Sequence, residues 1–249
     1  MIVLVGIIGL FLSISLHEIG HALKMKKHGI CMREICLFGL GGPALVRFKV
    51  PRLFGQTPIT IRPLIPIGAF VRPETEDGVY EDATTLQKVD IAAAGVVVNL
   101  YMGFGIFAGV AIFFGHWKFL AINIALLAFI TLAFRYFKTW FFIVTGVIFM
   151  GVLAYTIFRD ISNVGSVVTI VKFVVAQQTI KDDIVTTAAI SVSIGLFNCM
   201  PIFGLDGHKI LETVLPERAR APVAVVGAVL MIFLAVIVLV NDTIALFWH

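Results

Sequence analysis

An all-α polytopic membrane protein with about six transmembrane helices, and a small membrane-associated β region after the first, is the fold class this sequence predicts. Three observations carry that reading. Hydrophobic residues make up 59% of the 249 and charged residues only 14%, whereas soluble domains carry about 25% charged residues. The apolar residues run in long stretches without two-residue alternation, so helical spans rather than a barrel follow. Between the first two stretches, residues 31–85 interrupt the pattern with turn signals and short alternating runs.

The chain reads as one membrane domain over residues 1–249. Its first span covers 2–23 and ends in Lys24, Lys26 and Lys27. It resembles a signal peptide in hydrophobicity but lacks a basic leader, so it is read as retained. The β region, 37–72, contains the turn Leu40-Gly41-Gly42-Pro43, the alternating run Ala44 to Val50, a second run from Pro58 to Pro63, and Leu64 to Arg72. Glu74 to Asp82 reads as a solvated acidic stretch without chemistry. A central helix follows at 89–114. A helical hairpin at 119–158 pairs two spans, 119–134 and 139–158, joined at Arg135-Tyr-Phe-Lys138. The fifth span, 184–203, is broken at Pro201 and continues to Asp206-Gly207, forming a unit over 184–207. The last helix is 223–247.

Positive charge sets the expected orientation. With the segment after the first span placed inside, the inner loops hold fifteen Lys and Arg and the outer loops four. This predicts N-out and C-out, with the inner side cytoplasmic. The net charge of +4 is then a topology signal. No basic patch with interleaved aromatics appears, so the expected surroundings are the lipid bilayer and not nucleic acid. Cys31, Cys36 and Cys199 contain no C-x-x-C and suggest neither a disulfide framework nor a cysteine metal site.

The chemistry concentrates at Leu16-His17-Glu18-Ile19-Gly20-His21. On a helix, His17 and His21 lie one turn apart on one face, about 6 Å along the axis. Two imidazoles at that spacing can share one Zn²⁺, and Glu18 can serve as general base. Asp206 is the candidate third protein ligand. Pro201 removes a backbone donor, and Gly204 and Gly207 permit unwinding, so the chain near Asp206 reads as irregular backbone lining a polar site. Asn198, one turn before the break, offers an amide to a substrate strand or a tetrahedral intermediate. Gly95, Asn99 and Gly103 share one face of the central helix. The glycines read as close-packing positions, with Gly105 and Gly109 as an adjacent stripe. Asn99 is either a cross-helix hydrogen bonder or a support for a metal ligand or substrate.

These motifs together resemble the site-2 protease family of intramembrane zinc metalloproteases, the M50-like peptidases. The resemblance rests on His17-Glu18-x-x-His21, Ala94-Gly95-x-x-x-Asn99 and Asn198-x-x-Pro201-x-x-x-Leu205-Asp206-Gly207 in that order, and it spans most of 10–212. Leu64 to Arg72 looks like that family's membrane-embedded β region. Asn163-Val-Gly165-Ser166 looks like a degenerate form of its glycine-containing segment. The resemblance implies one Zn²⁺ per chain held by His17, His21 and Asp206, with Glu18 as the catalytic carboxylate. Asn198 would position substrate backbone, and Asn99 and Pro201 would belong to the substrate-binding region. The implied substrate is a transmembrane segment of another, single-pass protein, such as an anti-sigma factor or a remnant signal peptide, in a prokaryotic inner or plasma membrane. Strand addition to the β region would compensate an unwound substrate helix.

The sequence also departs from the family pattern. Val96 replaces the usual proline after the central glycine, and His208 stands where a glycine often follows Asp-Gly; His208 reads as a solvated interfacial histidine, with an alternative metal ligand as the second reading. The interval between Asn99 and Asn198 has no room for a PDZ domain, so a compact form is expected. Two other classes compete with the protease. A zinc transporter would need ligands along a path through several spans. A catalytically inactive, protease-like binding protein would have lost Glu18, which is present.

Overall fold

The computed structural model describes residues 2–39, 41–62, 68–74, 80, 82–159 and 179–247. The Asn163–Ser166 segment and residues 64–67 lie outside the described residues. The first helix, α1 (Ile2–Lys27), runs beyond the expected end at residue 23. Lys24, Lys26 and Lys27 form its last turn, where cations favour the negative end of the helix dipole. The stop is Gly29 at φ 72°. Its amide bonds the Lys26 carbonyl and the Ile30 amide bonds the Met25 carbonyl, 2.9 Å, closing a Schellman motif.

A four-stranded sheet follows, from β1 (Met32–Phe38), β2 (Val46–Lys49), β3 (Pro58–Ile61) and β4 (Phe70–Pro73). The spatial order is β2-β3-β1-β4. β1 runs parallel to β3 and antiparallel to β4, and β2 is antiparallel to β3. A short helix, α2 (Pro51–Phe54), joins β2 to β3. β1 begins five residues ahead of the expected region because its buried face includes a carboxylate. Glu34 accepts two bonds from Arg62 Nη2, at 2.6 and 2.9 Å, and one from Thr60 Oγ1 at 2.5 Å. Burial pushes the Glu34 carboxyl up, but the Thr60 and Arg62 bonds more than offset this and hold it below its ordinary value.

The remaining helices are α3 (Thr85–Phe113), α4 (Trp117–Tyr136), α5 (Lys138–Arg159), α6 (Ile180–Asn198), α7 (Asp206–Val214) and α8 (Glu217–Phe247). A Thr84/Gln87 capping box starts α3 four residues before the expected boundary. Among the described residues, five helices, in α1, α3, α4, α5 and α8, are long and apolar enough to cross a membrane, in keeping with a polytopic protein of about six. The expected fifth span is the exception. It ends at Asn198, ahead of Pro201, and Asp206 opens a separate helix, so 184–207 is two helices joined by a loop. Its polar residues are buried in protein: Asp183, Thr186, Thr187 and Ser191 of α6 all face the interior. α8 begins six residues before 223 and accommodates Pro222 in its second turn.

The core is a three-helix unit in which α3 packs against α1 and α6. A hydrophobic cluster also joins Val96 and Leu100 of α3 to Phe134 of α4, Phe142 of α5 and Ile210 of α7. The Gly95–Asn99–Gly103 stripe turns into this core as expected. A Cβ on Gly103 would come within 2.7 Å of the Ala188 carbonyl. Gly105 and Gly109 instead face open space among the described residues, so the adjacent stripe packs nothing there.

The α4–α5 hairpin now acquires a structural role. A Cβ on Gly146 of α5 would collide with the Cys199 carbonyl and lie 3.2 Å from Pro201 Cδ. A Cβ on Gly207 would collide with the same carbonyl. Two helices therefore press on one peptide group of the loop that delivers Asp206.

Candidate metal centre

On α1, His17 and His21 project from adjacent turns of one face, with ring centroids 4.7 Å apart and planes at 81°. Both are 6% exposed. His21 Nδ1–H donates to the Ile91 carbonyl of α3 at 2.7 Å. A carbonyl can only accept, so this bond assigns a proton to Nδ1 and turns Nε2 toward the interior of the site. Asp206, 3% exposed, sits at the first position of α7, where an anion favours the helix dipole. Its Oδ2 lies 3.0 Å from His17 Nε2 and 3.1 Å from His21 Nε2. One ligand atom from each residue falls within a 4.8 Å cluster.

Burial raises the Asp206 carboxyl, but His21 and Lys209 beside it hold it well below the usual carboxylate range. Lys209 Nζ donates to Asp206 Oδ1 at 3.0 Å, leaving Oδ2 for the histidine side. Gly95 of α3 lies under both rings: a Cβ there would meet each Nε2 at 2.5 Å. Two imidazole nitrogens and one carboxylate oxygen, converging in a buried recess, form a donor set suited to Zn²⁺. Among the described residues this is the one such group of three or more.

Glu18 is half-buried. It lines a cavity of about 200 Å³ together with His17, His21, Asp206 and Asn198. Asn198 donates its Nδ2 to the Ile194 carbonyl at 2.9 Å, so its Oδ1 is the end available to the cavity. Asn99 and Pro201 do not line it. Asn99 is fully buried against Gly195, and neither its Oδ1 nor its Nδ2 has a hydrogen-bond partner among the described residues. Pro201 packs toward Gly146 of α5. His208 also turns away, with its ring edge on Phe203 and its Nε2 3.3 Å from Glu212 Oε1, and it is not in the ligand cluster.

Sequence reasoning missed three contributors. Lys209 follows Asp206 by three residues on α7, a spacing that places the pair on one face and could have signalled it. The Ile91 carbonyl carries no side-chain signal. Tyr80 lines the cavity from the stretch read as solvated and without chemistry. From β4, Phe70 and Val71 complete one wall.

Comparison with known proteins gives concordant matches. Residues 5–240 match the model of peptidase family M50. Over 105 residues the chain is 32% identical to a Clostridium perfringens protein named "Putative zinc metalloprotease", covering 39% of this chain and 29% of that one. Over 100 residues it is 34% identical to a Streptococcus pneumoniae protein of the same description, covering 36% of this chain and 24% of that one. The matched stretch is under a third of either relative's length.

Proposed function

This chain belongs to peptidase family M50, and from that membership we propose that it is a membrane zinc metalloendopeptidase of the site-2 type. In this reading it cleaves within transmembrane segments of single-pass proteins, such as anti-sigma factors or remnant signal peptides. The carrying observation is the convergence of His17, His21 and Asp206 on a cavity that Glu18 and Asn198 also line. His17, His21 and Asp206 would hold one zinc ion. Bound zinc supplies Lewis acidity, polarising a peptide carbonyl and acidifying water. Glu18 takes the proton of the attacking water on its carboxylate and passes it to the leaving amine. Asn198 Oδ1 accepts from the substrate backbone. Lys209 keeps Asp206 anionic and oriented.

The competing classes find less support. A transporter needs a second set of ligands, and the described residues hold one. An inactive relative would lack the cavity-lining carboxylate, and Glu18 is in place. The charge bias supports an N-out, C-out orientation in a prokaryotic inner or plasma membrane.

Purified protein should contain one zinc per chain and cut a model single-span substrate. Chelation should stop cleavage and added zinc should restore it. Cleavage indifferent to chelation would overturn the proposal.

Substrate engagement is proposed at β4. It is an edge strand of the sheet, and Phe70 and Val71 face the cavity. Its outer backbone groups can pair with an extended substrate segment. Prolines placed singly at Phe70 and Val71 test this, since ladder hydrogen bonds alternate and one of the two amides points outward. One variant should lose cleavage with zinc content unchanged. Full cleavage in both would remove the strand-addition step.

A further inference from the structure

We infer that the cleft between α1, α3 and the α4–α5 hairpin binds an anionic phospholipid, with its phosphate at a basic rim and one acyl chain in the groove below. Two cavities, about 640 and 370 Å³, adjoin along the shared walls Asp90, Phe134, Arg135 and Lys138, and the cleft comprises both. Four helix ends converge at its rim: the C-terminal turns of α1 and α4 and the N-terminal turns of α3 and α5.

Charge at the rim is unbalanced. Lys24 Nζ donates to Asp90 Oδ2 at 2.8 Å, the His28 ring lies 3.0 Å from the same oxygen, and Lys138 Nζ bonds Oδ1. Asp90 is the only carboxylate lining either cavity among the described residues. Arg135 is exposed on the same rim. Its guanidinium lies 5.6 Å from the Tyr136 ring centroid. Lys24, Lys138 and Arg135 set three cations against one anion, an excess that a phosphodiester can neutralise.

The rest of the cleft fits the lipid's other parts. Tyr136, Phe137 and Trp140 stand 65–68% exposed beside the rim, as an aromatic belt does at headgroup level. Below the charges the wall is Ala93, Val97, Val98 and Tyr101 of α3. From Asp90 to Tyr101 the groove follows α3 for about 16 Å, roughly half of the ~30 Å hydrocarbon core. That is the depth of one leaflet. A soluble phosphate would leave this apolar floor unused, so a lipid is the occupant the cleft fits.

The test uses the delipidated 249-residue chain in detergent, titrated with phosphatidylglycerol, phosphatidylcholine or glycerol 3-phosphate. Retained ligand is read by native mass spectrometry and by the shift in Tm. Phosphatidylglycerol should be retained and raise Tm, while the other two should do neither. Arg135→Ala should weaken retention roughly fivefold, and Arg135→Glu further. Lys118→Glu, an exposed charge reversal at the other end of α4, should leave retention unchanged. Equal retention of phosphatidylcholine, or undiminished retention in Arg135→Glu, would overturn the inference. Binding of glycerol 3-phosphate as tight as that of the lipid would assign the rim to a soluble anion. Altered substrate cleavage with unaltered lipid retention in Arg135→Glu would assign the cleft to a substrate helix.

Discussion

Glu18→Gln is expected to reduce peptide hydrolysis by roughly 10²–10⁴-fold or more while leaving one zinc per chain. Glutamine keeps the volume and hydrogen-bonding reach of Glu18 but cannot accept the proton that the attacking water must lose. Glu18 is also absent from the ligand cluster of His17, His21 and Asp206, so its replacement removes none of the three donors. Asp206→Ala supplies the contrast. It deletes a donor 3.0 and 3.1 Å from the two imidazole nitrogens and strands Lys209 without its partner. Zinc affinity should therefore fall by more than the roughly 10–100-fold that follows loss of a residue merely supporting a ligand. Zinc content and cleavage, measured on the same preparations, separate the two roles. Loss of zinc in Glu18→Gln would make Glu18 a ligand. Undiminished zinc in Asp206→Ala would remove the third donor from the centre.

The parts of the fold legible in the sequence are those encoded over short distances. His17, Glu18 and His21 are a single helical turn, and their geometry follows from helix periodicity alone. Asp206 was legible because Pro201, Gly204 and Gly207 advertise irregular backbone beside it. The features that escaped are pairwise and distant. Glu34 disguises β1 as a polar stretch, because the Arg62 that neutralises it lies 28 residues away. α6 reads as an ordinary span until its buried Asp183, Thr187 and Ser191 show that protein surrounds it. The hairpin carries no chemical motif, and its contribution rests on a glycine that lets α5 reach the Cys199 carbonyl. Hydropathy reports what faces lipid well and what faces other helices poorly. A motif likewise reports ligands and omits the backbone that aims them.

That omission gives the second large expected effect, which falls on a residue with no side chain. Gly95→Ala should abolish stable zinc binding and cleavage without unfolding the protein. Ile91 and Gly95 stand one turn apart on α3. The Ile91 carbonyl fixes the His21 ring through Nδ1 at 2.7 Å, while Gly95 leaves the space into which both Nε2 atoms project. A methyl group at position 95 would meet each Nε2 at 2.5 Å, well inside van der Waals contact. His21 cannot swing aside while it keeps the Ile91 bond, and losing that bond frees its tautomer as well as its position. The helix itself is not weakened, since alanine is favoured over glycine in a helix interior by about 1 kcal/mol. Helical circular dichroism should therefore match the parent protein, while bound zinc falls to background. Retained zinc in Gly95→Ala would mean that the two rings can slide along α1, and that α3 is a wall of the centre rather than its template.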